Sequence, residues 1–234
     1  MAKSVALIAN KDVKMHDLLH IFLPEWPMLM AFSAAAIILA ITPGPDMALF
    51  LSRAINFGKA HGIMAMLGAL TGVMIHTALV VFGVSVLITT APIAFFALKI
   101  VGALYLLWLA ISALRAGQNF ALAKKNDGAK PKLKNSYLTG LGINLLNPKI
   151  VLFFITFLPQ FVSSADPYAA YKLFSLGILF NIISLPLLIM MIFGADWLAI
   201  ALTKSKWVGR AMNYGFAAIF ASFAAVILTA QTRH

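Results

Sequence analysis

The chain has 234 residues, of which 62% are hydrophobic and 11% are charged, and its mean hydropathy is +0.94. Soluble domains are about half apolar and a quarter charged, so this composition excludes an ordinary soluble fold and indicates a membrane protein. The net charge of +11 does not indicate a nucleic-acid partner, because the basic residues fall in short connections between apolar segments.

Residues 1–27 form an N-terminal tail in which no cleaved signal sequence is predicted. Charged residues interrupt the segment that would have to be apolar, namely Lys11, Asp12, Lys14 and Asp17. From Met15 onward, apolar side chains recur near helical spacing, which predicts a short interfacial helix.

Six apolar runs follow the tail, each near the ~20 residues that a helix needs to cross a bilayer. They occupy residues 28–51, 63–89, 92–114, 137–161, 171–194 and 211–230. The sequence therefore predicts an all-α integral membrane protein with six transmembrane helices.

The spans fall into two groups of three, at 28–116 and 136–234, separated by a basic linker at 117–135. Because three is an odd number, the second group enters the membrane in the opposite sense, which is the arrangement of an inverted repeat. The segments PDMALF at 45–50 and PKIVLF at 148–153 share Pro, Leu and Phe at one offset. This similarity supports two inverted three-helix repeats.

The distribution of basic residues predicts the orientation of the chain. Most Lys and Arg residues lie in the connections after the first, third and fifth spans. The positive-inside rule places these connections in the cytoplasm and both termini in the periplasm.

Pro43, Gly44 and Pro45 interrupt the first span. A proline inside a helix removes a backbone donor and clashes with the preceding turn, so this segment is expected to break the helix. Free backbone groups are tolerated at membrane depth only where they are buried in protein or line a wet cavity. Half-helix ends present N–H groups on one side and carbonyl groups on the other, an arrangement that suits a zwitterion.

A second break is predicted in the fourth span at Asn144, Asn147 and Pro148, and a charge follows each break, Asp46 and Lys149. A charge at a helix centre in the membrane costs roughly 2.5–3.5 kcal/mol, so each needs a partner or water. An inverted repeat would bring both charges to the same central region. We interpret them as a site for substrate and protons, and the alternative is an ion pair that only locks the halves together. For Asn144 the alternative role is interhelical hydrogen bonding.

His76 and Asn181 are polar residues of the second and fifth spans. Histidine titrates near physiological pH, so His76 is a candidate proton relay, and Asn181 is a candidate pathway residue. The alternative for both is a packing role with satisfied hydrogen bonds.

Several classes of site have no support in the sequence. The chain lacks cysteine and any acidic cluster with ligand spacing, so no metal site is predicted. It also lacks a Gly-X-Ser-X-Gly elbow and a phosphate-binding loop, so neither an enzyme nor an ATP-driven pump is predicted, and no cofactor is expected.

Several segments occur together in one order, namely TPGPD at 42–46, Arg53 and Gly58, LKIVGALYLLWLAI at 98–111, NLLNPKIVLFF at 144–154 and LPQF at 158–161. As a set they closely resemble the LysE/RhtB family of amino-acid exporters, from about Pro24 to the C terminus. The resemblance implies export of amino acids or their derivatives, such as lysine, threonine, homoserine, homoserine lactone or leucine, from the bacterial cytoplasm. It also implies an inner-membrane location and proton-gradient drive.

Two triplets match the central motifs of that family, Pro43-Gly44-Pro45 and Asn147-Pro148-Lys149. Asp46 stands at a position that varies among family members, so its proposed role rests on its location. The expected protein is a proton-coupled secondary exporter with broken first and fourth helices and with Asp46 and Lys149 at its site. The alternatives are a passive channel for a small polar solute and a membrane scaffold without transport. The sequence does not specify the oligomeric state.

Overall fold

The computed structural model describes residues 20–115, 130–163 and 166–204, together with residues 210, 214–215, 217–218, 221–222 and 224–225. The basic linker and the sixth span therefore lie largely outside the described residues. The interfacial helix predicted from Met15 is described only from residue 20, with residues 20–22 helical. Every secondary-structure element of the described part is helical.

The helices follow one another closely along the chain. Their bounds are α1 Trp26–Ile41, α2 Pro45–Phe57, α3 Lys59–Thr90, α4 Pro92–Arg115, α5 Leu133–Leu146, α6 Pro148–Leu152, α7 Ala169–Phe193 and α8 Ala195–Lys204. After α6 the chain continues as a π-helical turn, Phe153–Phe157, and a 3₁₀ turn, Leu158–Phe161.

Two described helices are long and apolar enough to cross a membrane by themselves, α3 over Lys59–Gly83 and α7 over Ala169–Phe193. Two further spans result if each bent pair counts as one: α1 with α2, bent by 52°, and α5 with the segment Pro148–Phe161, bent by 54°. The all-helical membrane architecture is thus present, while the six-span inverted repeat remains a prediction.

Both breaks lie where the sequence places them, and proline explains each one. Pro45 and Pro148 occupy the first position of the helix that follows the break, where a missing N–H has no consequence because it would be unpaired. The chain leaves α1 through Thr42 in an extended conformation, and Gly44 is also extended before α2 begins. The α2 helix ends at Gly58, whose φ of 96° is accessible mainly to glycine.

The closest helix contact in the described structure is the crossing of α3 and α5. A Cβ atom on Gly68 would overlap the backbone oxygen of Tyr137, and one on Gly140 would overlap the backbone oxygen of Ala65. Two facing glycines therefore allow the two backbones to touch, which is the usual way in which membrane helices reach dense packing without a hydrophobic driving force.

Two other glycines make room for threonine side chains. Gly177 of α7 faces Thr77 of α3, and Gly102 of α4 faces Thr156 of the π-helical turn. Next to these contacts, buried aromatic rings of the π-helical turn, the 3₁₀ turn and α7 pack edge to face or tilted. They comprise Phe153, Phe154, Phe157, Phe161 and Phe180. The result is a dense bundle around α3, in which Thr42 and Asn147 of the two helix breaks are buried while Pro45 and Pro148 are exposed.

Candidate functional site

A cavity lies where the two helix breaks meet. It has about 40 Å³ available to the centres of water molecules. This space is large enough to admit water. Most of its wall is apolar, and five lining residues are polar: Thr42, Asp46, Asn144, Lys149 and Ser184.

Asp46 reaches the cavity from the first turn of α2. A carboxylate is favoured at this position because the unpaired N–H groups give a helix N terminus a partial positive charge. Asp46 Oδ2 accepts a hydrogen bond from Asn144 Nδ2 at 3.0 Å. Asp46 Oδ1 has no partner within the described part of the chain, although it is buried. One oxygen of the carboxylate is therefore held in place. The other makes no hydrogen bond to a described residue, although the side chain of Asn147 lies near enough to interact with the carboxyl group.

Lys149 enters the same cavity from the second break. Its Nζ donates to the backbone oxygen of Thr42 at 3.0 Å. A Cβ atom on Gly44 would lie 3.1 Å from Nζ, so the glycine leaves room for the ammonium group. The lysine of one break thus binds a carbonyl group exposed by the other. Its other two N–H groups have no hydrogen bond to any residue that the structure describes.

Asp46 and Lys149 both belong to the described residues and line one cavity, yet no ion pair of 4.0 Å or less joins their charged atoms. The structure places the two charged residues at one cavity, and their role as a joint site stays a prediction. A direct ion pair as a structural lock is absent from this conformation, because each charge binds a neutral partner instead.

Asn147 ends α5 and begins α6. Its side-chain Oδ1 accepts from the backbone N–H of Lys149 at 3.1 Å, which is an N-cap hydrogen bond. Because the capped residue is Lys149 itself, the cap fixes the direction in which the ammonium group leaves the helix. Pro148 lies between them at the first helical position, and its backbone oxygen accepts from Tyr105.

Replacing Asn147 with Ala removes this cap, and we expect a loss of stability of about 1 kcal/mol. We also expect weaker transport, because Lys149 loses a positioning contact. Thermal unfolding of the purified protein in detergent measures the first effect. Asn147→Ser is the control, since serine also caps helices, and equal loss in both variants would contradict the capping role.

His76 and Asn181 lie beside the cavity and do not line it in this conformation. His76 Nε2 is 3.4 Å from the backbone oxygen of Asn144, and its ring stacks on Phe154. Asn181 Nδ2 donates to the backbone oxygen of Leu70 at 3.1 Å, joining α7 to α3. Both residues therefore make interhelical hydrogen bonds, and their pathway roles stay predictions.

The sequence interpretation missed Ser184 and most of the apolar wall. Ser184 lies on α7 between Phe180 and Leu188, and all three line the cavity at intervals of one helical turn. The nearby Pro186, inside α7, is the only local signal of an irregularity, and it does not indicate which helix face is inward. The other apolar lining residues are Leu39, Ala40, Met47, Phe50, Ala69, Leu70, Val73 and Ile150.

The described residues contain no group of three or more His, Cys, Asp or Glu side chains that could hold a metal ion. The cavity instead offers one carboxylate oxygen, the N–H groups of one ammonium and a hydroxyl, all inside apolar walls. These groups complement a small zwitterionic molecule. Secondary transporters commonly bind their substrates in a polar cavity between two broken helices, so this cavity is the candidate substrate site.

Comparison with known proteins agrees with that class. The chain belongs to the LysE type translocator family, whose model matches residues 37–231. Members of this family are transporters and not enzymes.

Two relatives illustrate the similarity. The chain is 34% identical over 142 residues to the uncharacterized membrane protein YrhP of Bacillus subtilis, a match that covers 58% of this chain and 68% of the relative. It is 28% identical over 209 residues to the leucine efflux protein of Klebsiella pneumoniae, with 87% of this chain and 95% of the relative covered. No solved structure matches the chain.

Proposed function

We propose that the protein exports a neutral amino acid of about the size of leucine across the bacterial inner membrane, in exchange for protons. The observation that carries this proposal is the cavity itself, in which a carboxylate and an ammonium group stand inside apolar walls. The substrate is small and zwitterionic, with an apolar side chain.

The charges of the site complement those of a free amino acid. Asp46 Oδ1, which lacks a partner among the described residues, accepts from the substrate ammonium group. The two free N–H groups of Lys149 donate to the substrate carboxylate. Because the two protein charges cancel, an additional charge on the substrate side chain would enter an apolar wall without a partner, which is unfavourable. The leucine efflux relative from Klebsiella pneumoniae supports the same choice of side chain.

Proton coupling is assigned to Asp46. A carboxylate binds either a proton or the substrate ammonium group, so the two compete for one site. Protons that enter from the periplasm displace the amino acid outward, and the next cytoplasmic substrate displaces the proton inward. His76, beside Asn144, is the candidate relay for this proton.

Transport requires a second conformation, because the site of an exporter must open to each side of the membrane in turn. In the proposed cycle, the two inverted repeats move relative to each other and expose the cavity to one side at a time. Their connections follow the charge distribution, with the basic ones in the cytoplasm and both termini in the periplasm.

The test is counterflow of labelled leucine, threonine, lysine and homoserine in proteoliposomes of purified protein, with and without an imposed pH gradient. We expect saturable exchange that favours leucine and is accelerated by the gradient. Asp46→Asn keeps the size of the side chain and its hydrogen bonding to Asn144, but it cannot carry a proton. The variant should lose the acceleration by the gradient, with residual exchange reduced by about 10- to 100-fold through its weaker ammonium binding.

The exposed acidic residue Glu25, which precedes α1, provides a matched control, and Glu25→Gln should behave as wild type. An exchange rate that changes neither with the pH gradient nor with the Asp46→Asn substitution would indicate a passive facilitator. Absence of flux for the whole panel would contradict the exporter and favour a scaffold.

A further inference from the structure

Ser184 carries a polar group that the proposed transport cycle has not yet used. Its side chain is 1% exposed and its residue lines the cavity. Its hydroxyl oxygen has no hydrogen-bond partner among the residues that the structure describes. A buried hydroxyl without a partner is unfavourable, so its presence at a ligand cavity requires an explanation.

Other helical hydroxyl groups of the protein avoid this situation. A serine or threonine in a helix commonly donates to the carbonyl group four residues earlier. Such bonds are made by Thr42, Thr71, Thr77, Thr156 and Ser222. Ser184 makes no such bond to Phe180, although both residues belong to α7. Its hydroxyl is therefore available to a molecule in the cavity.

The hydrogen-bond balance of the cavity indicates which group that molecule presents. A substrate ammonium group has three N–H donors and needs acceptors for them. Among the lining residues, unpartnered oxygens occur at Asp46 Oδ1, Asn144 Oδ1 and Ser184 Oγ. The amide oxygen of Asn144 lies against α3, where a Cβ on Gly72 would be 2.5 Å away, so it faces that helix. The acceptors that remain for the ammonium group are therefore Asp46 Oδ1 and Ser184 Oγ.

Resting on the exporter function proposed above, we propose that Ser184 is a substrate-binding residue that accepts a hydrogen bond from the α-ammonium group, together with Asp46. Lys149 is then the only one of the three residues that binds the substrate carboxylate. The apolar neighbours Phe180 and Leu188, one turn away on either side, bound the substrate side chain.

The test is Ser184→Ala in the leucine counterflow assay. We expect the KM for leucine to rise about 10-fold or more, because a hydrogen bond to a charged group is lost. The melting temperature of the substrate-free protein should stay the same or rise, since the variant removes a buried hydroxyl that lacks a partner. The matched control is Ser222→Ala, whose exposed hydroxyl bonds to its own helix, and its KM should equal that of the wild type.

Two competitors locate the contact on the substrate. Leucinol keeps the amino group and lacks the carboxylate, whereas 4-methylpentanoate keeps the carboxylate and has no donor in place of the amino group. We expect Ser184→Ala to weaken inhibition by leucinol about 10-fold and to leave inhibition by 4-methylpentanoate unchanged. The reverse pattern would overturn the assignment, because the hydroxyl would then contact the carboxylate.

The two proposals fail in different ways. A wild-type KM for leucine in Ser184→Ala would overturn the role of Ser184 and leave the exporter function intact. Wild-type protein that exchanges no amino acid of the panel would overturn the exporter function, and the role of Ser184 with it.

Discussion

Gly140→Ala is expected to yield little folded protein, with a loss of stability on the order of 3 kcal/mol or more. The added methyl group would overlap the backbone oxygen of Ala65 on the neighbouring helix. A long side chain can rotate away from such a clash, but a backbone oxygen moves only if α3 and α5 separate. Separation would also disturb the contact of Gly68 with Tyr137. Monodisperse yield and melting temperature in detergent measure the effect.

Gly142 on the same helix provides a matched control. A Cβ atom at this position would meet no atom within 4 Å. Gly142→Ala should therefore be neutral or stabilising by up to about 1 kcal/mol, because alanine is the better helix former. Equal behaviour of the two variants would contradict the packing argument and attribute the loss to helix propensity alone.

Lys149→Met is expected to reduce leucine exchange by about 100-fold or more, since the substrate carboxylate loses its charged partner, a loss that costs roughly 2–5 kcal/mol. The substitution removes the donor to the backbone oxygen of Thr42 and leaves Asp46 as an uncompensated charge. It also removes the group that binds the substrate carboxylate. Initial rates of counterflow in proteoliposomes with equal amounts of inserted protein measure the effect. Lys134→Met, at the exposed start of α5, is the control and should transport normally.

The double variant Asp46→Asn with Lys149→Met separates folding from function. We expect it to recover the thermal stability lost in Lys149→Met, because no charge remains unbalanced in the cavity. We expect no recovery of transport, because both substrate contacts are gone. Full recovery of function after reversal of both charges, Asp46→Lys with Lys149→Asp, would favour a purely structural pair.

The helix breaks could be predicted because their cause is local. Pro43 and Pro45, like Pro148, lack the backbone donor that a continuous helix requires, whatever surrounds them. The approach of Asp46 and Lys149 was also predictable, since apolar sequence at membrane depth offers few alternatives to a charged group. Their hydrogen-bond partners could not be predicted. Asn144 Nδ2 reaches Asp46, and Thr42 O reaches Lys149, only because of the angles of the two bends.

The sequence did not predict which face of each helix points toward the cavity. Ser184 is one small polar residue in a helix that is apolar on all sides, so no periodicity marks the face on which it lies. The same limit applies to His76 and Asn181, which are polar and central in the sequence but face adjacent helices in the structure. The pairing of Gly140 with Ala65 is likewise a property of the crossing and of neither helix alone.

The glycine crossing of α3 and α5 has a mechanical consequence. Two backbones in contact have no layer of side chains between them that could slide or change rotamer to absorb a displacement. If α3 slid along α5, the backbone oxygens of Ala65 and Tyr137 would leave the glycines opposite them and collide with neighbouring side chains. A small rotation of one helix about the crossing point would move these oxygens very little. We therefore expect any opening of the cavity to be a rotation about this crossing, with displacements that grow with distance from it.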